Sequence, residues 1–330
     1  MRASTKTFLR EIVDYAGLFP PAQLALEPAV VNYAAYQQSP DAWMLGRFIC
    51  PAAKLGDLAP FRDARFTDER PLRLSVLGRG GETPADFLAN LRDDLAAINR
   101  LHAAPDRRIR AEAFEVRLPA MLVKDDCTEA LVKLLEESRT AFHDAALRDL
   151  PMACEPPLSA VHTDAGRVAA AGLSFYNLRL AMERRGSPAD RVVMKLRCGG
   201  VEAAAFPSVQ RVAAVLDAVR ECGVAAKFTA GLHHPVRRFD AALGASMHGF
   251  VNVFGALLLA TAHDLLREEI ERILGEEDAA AFAFTDEGFG WRDLSITTDE
   301  IAAARGAVAL SFGSCSFDEP RADLHALGWI

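Results

Sequence analysis

Two lysines are the residues with the clearest chemical potential. The chain contains 37 basic residues, and only six of them are lysine. Two of these, Lys195 and Lys227, lie inside apolar segments, Val-Val-Met-Lys-Leu-Arg-Cys and Val-Ala-Ala-Lys-Phe-Thr-Ala-Gly. Arginine keeps its proton in proteins, whereas a desolvated lysine can lose it, and a neutral amine is a nucleophile towards carbonyl groups. The placement of these lysines therefore favours an enzyme with amine chemistry.

Polar side chains alternate with apolar ones in three strand-like segments. Residues two positions apart share one face of a strand, and the pairs concerned are Glu115 with Arg117, Lys195 with Arg197, and Lys227 with Thr229. Arg47 and Glu155 fit the same pattern in two further segments. Each of these strands thus has one polar face and one apolar face.

The segments that must position these residues alternate between strand-like and helical patterns. Eight runs are typical of strands: Ile12–Leu18, Trp43–Cys50, Leu72–Leu77, Ala111–Leu118, Pro151–Glu155, Val192–Cys198, Val224–Gly231 and Gly249–Val253. Helical patterns lie between them at Pro84–Leu101, Cys127–Ser138, Thr163–Arg185, Ser208–Cys222 and Ala256–Leu274. This alternation predicts an α/β protein with a single (β/α)8 TIM barrel, and a doubly wound sheet is the alternative.

The tail departs from the alternation. We expect the barrel to occupy residues 1–275 and residues 276–330 to form a C-terminal appendage packed on it. The tail contains an aromatic, glycine-bearing loop at Phe282–Trp291 and a helical pattern near Thr298–Arg305. It could be an extra layer, a dimer surface or a lid that reaches the active-site face.

Helices cover the outside of a barrel, so the charged faces should point inwards, and active sites lie at the C-terminal ends of the strands. The inward set combines five cations with two carboxylates: Arg47, Arg117, Lys195, Arg197 and Lys227 with Glu115 and Glu155. A buried ion-pair network that only fills the barrel should balance its charges. The surplus of cations instead favours an anionic substrate, a carboxylate or a phosphate.

Further candidates lie near the ends of strands. His233 and His234 follow the seventh strand, and at least one could act as a general acid or base, contact the substrate, bind a metal or structure the loop. Asp14 and Asn252 are further candidates for substrate contacts.

The spacing of histidines, cysteines and carboxylates matches no known metal motif, so we expect no metal and no cofactor. The alternative is a metal site that uses His233 or His234 with Glu115, Glu155 and Cys198.

The order of these motifs resembles class I, Schiff-base aldolases of the deoxyribose-phosphate aldolase type. The resemblance covers about residues 11–255 and includes the opening Val-Asp-Tyr-Ala-Gly-Leu-Phe-Pro at 13–20. It implies that Lys195 forms the imine, that Lys227 lowers the pKa of Lys195, and that Glu115 relays protons. The loops differ: Leu-Arg-Cys-Gly-Gly follows Lys195, and Ala-Gly-Leu-His-His-Pro replaces the family's phosphate loop. These departures disfavour a phosphorylated sugar.

The sequence therefore predicts a Schiff-base lyase or aldolase for a small anionic carbonyl compound. The expected catalytic residues are Lys195, Lys227, Glu115 and His233, and the expected substrate contacts are Arg47, Arg117, Arg197, Glu155, Thr229, His234, Asn252 and Asp14. The alternatives are a metal-dependent lyase, isomerase or hydrolase, a transferase with a phosphate- or carboxylate-binding mouth, and a binding barrel without catalysis.

The composition limits the kinds of partner that the protein can have. A net charge of −8 without a basic block argues against nucleic acid, and no run approaches the roughly 18 apolar residues of a membrane span. The start of the chain lacks the apolar region of a signal peptide, and the six cysteines are scattered. We expect a cytoplasmic protein that forms a homo-oligomer.

Overall fold

Eight parallel strands form a closed barrel in the computed structural model, which describes residues 1–123, 128–157 and 192–330. The strands are β1 (Val13–Tyr15), β2 (Leu45–Pro51), β3 (Leu72–Leu77), β4 (Ile109–Arg117), β5 (Met152–Glu155), β6 (Val192–Arg197), β7 (Ala225–Thr229) and, much later in the chain, β13 (Ala309–Ser314). β13 pairs with β7 on one side and with β1 on the other, which closes the barrel. The predicted TIM-barrel fold is confirmed.

Helices surround this barrel. Those described are α1 (Ala3–Leu9), α2 (Leu26–Tyr36), α3 (Arg62–Arg65), α4 (Pro84–His102), α5 (Thr128–Asp144), α6 (Val209–Cys222), α7 (Phe250–His263), α8 (Arg267–Gly275), α9 (Thr298–Ala307) and α10 (Asp318–Ala326). Short 3₁₀ segments lie at Ala42–Met44, Ala52–Phe61, Ala120–Leu122, Ala203–Ala205 and Ala279–Ala281. The helix predicted at Thr163–Arg185 lies outside the described residues. None of the described helices combines the length and apolarity that a membrane crossing requires.

Local sequence signals explain where several of these helices begin and end. The Thr83 hydroxyl accepts a hydrogen bond from the backbone of Asp86, and Pro84 occupies the first turn of α4. Gly223 ends α6 in the left-handed conformation, with φ of 58°. These are the termini at which the sequence prediction agrees best with the structure.

The outer faces of the strands form the core. On β4, Phe114 and Val116 are buried and point away from the barrel axis, on the face opposite Glu115. The ring of Phe114 packs edge-on against Phe142 of α5, at 5.6 Å between centroids. Because this apolar face packs against a helix, the polar side chains of the same strand must point into the barrel.

The eighth strand was predicted at the wrong place. Gly249–Val253 is not a strand, because residues from Phe250 onwards form α7. A short apolar run with β-branched residues does not distinguish a buried strand from a buried helix, and α7 is buried from Phe250 to Ala260. The strand that closes the barrel is Ala309–Ser314, within the segment predicted to be an appendage.

Part of the tail does lie outside the barrel. An antiparallel sheet in the tail consists of β10 (Phe282–Phe284), β11 (Gly288–Trp291) and β12 (Leu294–Thr297). A separate hairpin precedes the tail in the chain and consists of β8 (Arg238–Asp240) and β9 (Ala245–Met247). The ring of Phe8 in α1 contacts Phe284 and Phe289 of the sheet. The expected boundary near residue 276 therefore precedes both this outer sheet and the last barrel strand.

Phe8 generates a test of this packing. It is fully buried and contacts Phe254 of α7 as well as the outer sheet, whereas Phe239 on β8 is 61% exposed. We expect Phe8→Ala to lower the free energy of unfolding by about 3–5 kcal/mol, because it removes a buried aromatic ring. The matched Phe239→Ala change should stay within about 0.5 kcal/mol. Equal losses in urea unfolding would show that the outer sheet is not packed through Phe8.

Candidate active site

A chain of five alternating charges fills the inside of the barrel. Its members are Asp14 of β1, Lys227 of β7, Glu115 of β4, Lys195 of β6 and Glu155 of β5. Lys227 Nζ contacts Asp14 and lies 2.9 Å from Glu115 Oε1. Lys195 Nζ lies 2.8 Å from Glu115 Oε2 and 2.7 Å from Glu155 Oε2. The carboxylate of Glu115 is therefore shared by two ammonium groups.

Strand register explains this sharing. Lys195 and Lys227 are directly paired positions on the neighbouring parallel strands β6 and β7. Adjacent strands are about 5 Å apart, so two side chains that point inwards from paired positions reach the same region of the barrel. Glu115 approaches both from β4 and is completely buried. Three of the four residues that the sequence singled out as catalytic, Lys195, Lys227 and Glu115, therefore meet.

The charges shift one another's pKa values. Burial alone would lower the pKa of Lys195, but the carboxylates of Glu115 and Glu155 outweigh it and hold that pKa above the range of a free lysine. Burial alone would raise the pKa of Glu115, but Lys195 and Lys227 hold it well below its usual range. The two carboxylates therefore favour the ammonium form of Lys195 and raise its pKa, whereas the resemblance implied a lowered pKa.

Two serines and a backbone amide complete the network. Ser75 Oγ donates to Glu115 Oε1 at 2.5 Å, and Ser311 Oγ donates to Asp14 Oδ2 at 2.7 Å. The backbone N–H of Arg47 donates to Asp14 Oδ1 at 2.6 Å. Neither serine was predicted from the sequence. Ser75 lies two positions after Arg73 on β3, so the sequence does contain the signal of a polar face on this strand. Ser311 lies on the strand that was not assigned to the barrel, so no signal in the sequence selected it.

The balance of charge also differs from the sequence expectation. The chain of five contains three carboxylates and two ammonium groups, because Asp14 joins Glu115 and Glu155. The interior network therefore carries no surplus of cations. The surplus of positive charge lies instead at the C-terminal ends of the strands. There, Arg117 and Arg197 form no ion pair with any other residue of the described ranges.

The C-terminal ends of the strands open into a cavity of about 370 Å³, which we call the mouth cavity. Lys195, Glu115 and Glu155 border it from inside the barrel. Arg117 and Arg197 also line it. Its remaining polar lining includes Thr229, His233, Ser314 and Cys315, and its apolar lining includes Ala16, Phe19, Ile49 and Leu77. A cavity of this size suits a small molecule.

Three predicted residues lie on the other side of the charge chain. Lys227 and Arg47 border a second cavity, of about 550 Å³, at the N-terminal ends of the strands. Arg47 Nε lies 3.4 Å from Glu112 Oε2. Asp14 is fully buried between Lys227 and Ser311. The structure therefore does not bring Arg47 or Asp14 to the mouth cavity as substrate contacts.

Two other predicted contacts have partners elsewhere. The Asn252 amide donates to the backbone oxygens of Ile273 and Glu276, each at 2.8 Å, and so ties α7 to the end of α8. His234 Nδ1 lies 2.5 Å from Asp323 Oδ2 on α10, and His234 does not line the mouth cavity. Asn252 was placed at the mouth because its segment was predicted as a strand.

The loop after β7 carries His233 to the mouth cavity. Ala230 and Gly231 both adopt left-handed backbone conformations, with φ of 58° and 72°. A Cβ atom on Gly231 would lie only 2.7 Å from the Cα of Gly199, so the loops after β6 and β7 are in direct contact. This turn places His233 in the cavity wall, with Nδ1 3.1 Å from Glu319 Oε2.

The metal set considered from the sequence is not assembled. Cys198 is buried, its thiol donates towards the backbone oxygen of Leu196 at 3.9 Å, and it does not line the mouth cavity. Glu115 and Glu155 are both engaged with Lys195. Sequence reasoning also missed Cys315 of the cavity wall and Glu319 of α10, because the tail was not expected to form part of the barrel.

Comparisons with known proteins give a likeness of overall structure only. No protein-family model matches the chain, and no curated protein sequence matches it. One similar solved structure is the Penicillium canescens endo-1,4-beta-xylanase XylE, with a TM-score of 0.41 and 10% sequence identity over 92% of this chain and 98% of that chain.

The Asp14–Lys227 pair generates a stability test. We expect Lys227→Met to lower the free energy of unfolding by about 3–5 kcal/mol, because it leaves the buried Asp14 carboxylate without a cation. Asp14→Asn combined with Lys227→Met should recover more than about 1 kcal/mol of that loss, since no buried charge is then unpaired there. The two single variants, Asp14→Asn and Lys227→Met, and the double variant are compared by denaturant unfolding. A double variant as unstable as the sum of the two single variants would show that the pair does not act as a unit.

Proposed function

We propose that this protein is a carbon–carbon lyase that acts on a small carbonyl compound with an anionic group, through an imine at Lys195. The position of the Lys195 amine carries the proposal. Among the described residues, Lys195 is the one lysine that borders the mouth cavity, and a carboxylate lies within 2.8 Å of its amine on each side. An amine so placed can attack a carbonyl carbon bound in the cavity, with bases at hand for its protons.

The first step must remove a proton from Lys195, because only the neutral amine is a nucleophile. Glu155 is the better acceptor, at 2.7 Å from Nζ and with a partly accessible side chain. Glu115 is already stabilised as an anion by Lys227 and by the hydroxyl of Ser75. We therefore assign the proton transfer to Glu155 and the fixed negative charge to Glu115.

The remaining steps balance without another reactant. The amine lone pair forms the carbon–nitrogen bond, and Glu155 passes the proton to the carbonyl oxygen. That oxygen leaves as water, so that ammonium and carbonyl together become iminium and water. The bond between the α and β carbons then breaks, and its electron pair enters the iminium to give an enamine. The β-hydroxyl group passes its proton to Glu155, and the fragment that carried it leaves as the first product, an aldehyde. Protonation of the enamine carbon and hydrolysis of the iminium release the second product and regenerate Lys195.

The rim of the mouth cavity supports an anionic substrate. Arg117 and Arg197 line the cavity and form no ion pair within the described part of the chain. A guanidinium without a carboxylate partner favours a bound carboxylate through paired, charge-assisted hydrogen bonds. His233 borders the same cavity, but its Nδ1 faces Glu319. For that reason we assign the proton transfers to Glu155 and not to His233.

One observation favours a second candidate function. The carboxylates on both sides of Lys195 raise its pKa and stabilise its charged form. As an ammonium ion, Lys195 would hydrogen-bond to the carbonyl oxygen of the substrate and stabilise the negative charge that develops there, without a covalent intermediate. Glu155 would then remove a proton from carbon, and the reaction would be an isomerisation or an elimination.

Borohydride trapping separates the two candidates. We expect a panel of small carbonyl compounds, including pyruvate, glyoxylate and hydroxyacetone, to give a reduced adduct on Lys195 that peptide mass mapping locates. Lys195→Arg should abolish this adduct, because arginine retains its proton and forms no imine. Lys133→Arg is the matched control, since the Lys133 side chain is 77% exposed on α5. If no member of the panel modifies Lys195, the imine proposal is wrong and the non-covalent candidate takes its place.

The role of Arg197 is tested with two of the same probes. Pyruvate and hydroxyacetone both carry a ketone, but only pyruvate carries a carboxylate. We expect Arg197→Met to slow trapping of pyruvate by about 10–100-fold, the size of a lost charge-assisted contact of about 1.5–3 kcal/mol. Trapping of hydroxyacetone should be nearly unchanged. Arg272→Met, on the exposed side of α8, is the control. Equal losses with both probes would assign Arg197 to the structure of the site and not to recognition of charge.

A further inference from the structure

Three potential metal ligands from separate segments meet at the rim of the mouth cavity. His233 lies in the loop after β7, Cys315 directly follows β13, and Glu319 is in the first turn of α10. One ligand atom of each residue lies within 4.8 Å of the other two. β7 and β13 are neighbours in the barrel, so their C-terminal ends deliver His233 and Cys315 to the same edge.

We propose that His233, Cys315 and Glu319 form a binding site for a zinc-type divalent cation whose open coordination position faces the mouth cavity. Imidazole nitrogen, thiolate sulphur and carboxylate oxygen are the ligands that zinc takes in proteins, and three protein ligands with one open position is the usual arrangement of a reactive zinc site. His233 and Cys315 both line the cavity, which places the open position on the cavity side.

The distances fit with small side-chain movements. Zinc–ligand bonds of about 2.0–2.3 Å separate the ligand atoms of a tetrahedral site by about 3.3–3.8 Å. His233 Nδ1 and Glu319 Oε2 are 3.1 Å apart, and all three ligand atoms lie within 4.8 Å of one another. The Glu319 side chain is 52% exposed, so it can adjust without disturbing the core.

The backbone holds these ligands in place. Ser316 Oγ accepts hydrogen bonds from the backbone N–H groups of Asp318 and Glu319, at 3.2 and 3.1 Å, which fixes the first turn of α10. On the opposite side, the contact between Gly199 and Gly231 fixes the loop that carries His233. Preorganised ligands reduce the conformational entropy that ion binding must overcome.

The chain provides its own comparison for this site. His234 and Asp323 form a second histidine–carboxylate pair, one residue further along the loop and about one turn further along α10. This second pair has no thiol beside it, and within the described ranges only the group with Cys315 combines three ligands. If a histidine–carboxylate pair were sufficient, both pairs would bind a cation.

The site is independent of the imine chemistry but borders the same cavity. Lys195 and Glu155 border the mouth cavity from β6 and β5, whereas Cys315 reaches it from the end of β13. A cation at the β7–β13 edge would therefore bind a different oxygen of the substrate from the carbonyl oxygen beside Lys195. It adds a second cationic recognition element to the arginines, one that selects an oxygen ligand by coordination and not by hydrogen bonding.

Cobalt(II) titration of the full chain tests the proposal. We expect protein stripped with a chelator to bind one equivalent of cobalt(II), with a near-ultraviolet thiolate-to-cobalt charge-transfer band that zinc(II) abolishes by displacement. Cys315→Ser should lose the band. His233→Ala and Glu319→Gln should weaken cobalt(II) binding by at least about 10-fold, the smallest effect expected even for a residue that only supports a ligand. His234→Ala and Asp323→Asn should leave the titration unchanged.

Each outcome has a defined meaning. Absence of the charge-transfer band, or the same weakening with His234→Ala as with His233→Ala, would overturn the proposal. If Cys315→Ser does not fold, the exposed Glu319→Gln change decides, with thermal unfolding as its check. Lys195→Arg should retain the cobalt spectrum in full. Loss of the imine adduct with an intact cobalt spectrum, or the reverse, therefore distinguishes failure of one proposal from failure of the other.

Discussion

The interior of the barrel depends on the shared carboxylate of Glu115. Lys195 and Lys227 occupy paired positions on adjacent strands, and two buried ammonium groups so close together would repel each other. Glu115 removes that repulsion because each of its oxygens contacts one of the two amines. Asp14 and Glu155 then extend the alternation at both ends. The desolvation of Lys227, Glu115 and Lys195 is thus offset by an opposite charge on either side, and that of Asp14 and Glu155 by one.

This chain of charges also separates the two cavities at the opposite ends of the barrel. Lys195 and Glu155 face the mouth cavity, while Lys227 faces the cavity at the N-terminal ends of the strands. Lys227 can therefore act on the mouth only through Glu115, by neutralising part of its charge and weakening its hold on Lys195. The two lysines that look equivalent in the sequence therefore border different cavities, and the proposed reaction assigns the reactive amine to Lys195 and a positioning charge to Lys227.

The sequence predicted those parts of the structure that have local causes. The bounds of β3 follow from its apolar run, and the inward direction of Glu115, Lys195 and Lys227 follows from the period of two along a strand. The state of Lys195 did not follow, because its pKa depends on Glu155 and Glu115 from two other strands. Ionisation is a property of the assembled barrel, whereas side-chain direction is a property of a single strand.

The tail shows why the eighth barrel strand could not be predicted from the sequence. The chain forms an outer sheet at β10–β12 and only then returns to close the barrel with β13 between β7 and β1. No local signal marks this return, since Leu310-Ser-Phe-Gly-Ser is less apolar than the α7 segment that resembled a strand. The late closure has a chemical consequence. It brings Ser311 to Asp14 inside the barrel and Cys315 to His233 at its mouth, so residues far apart in sequence complete both ends of the site.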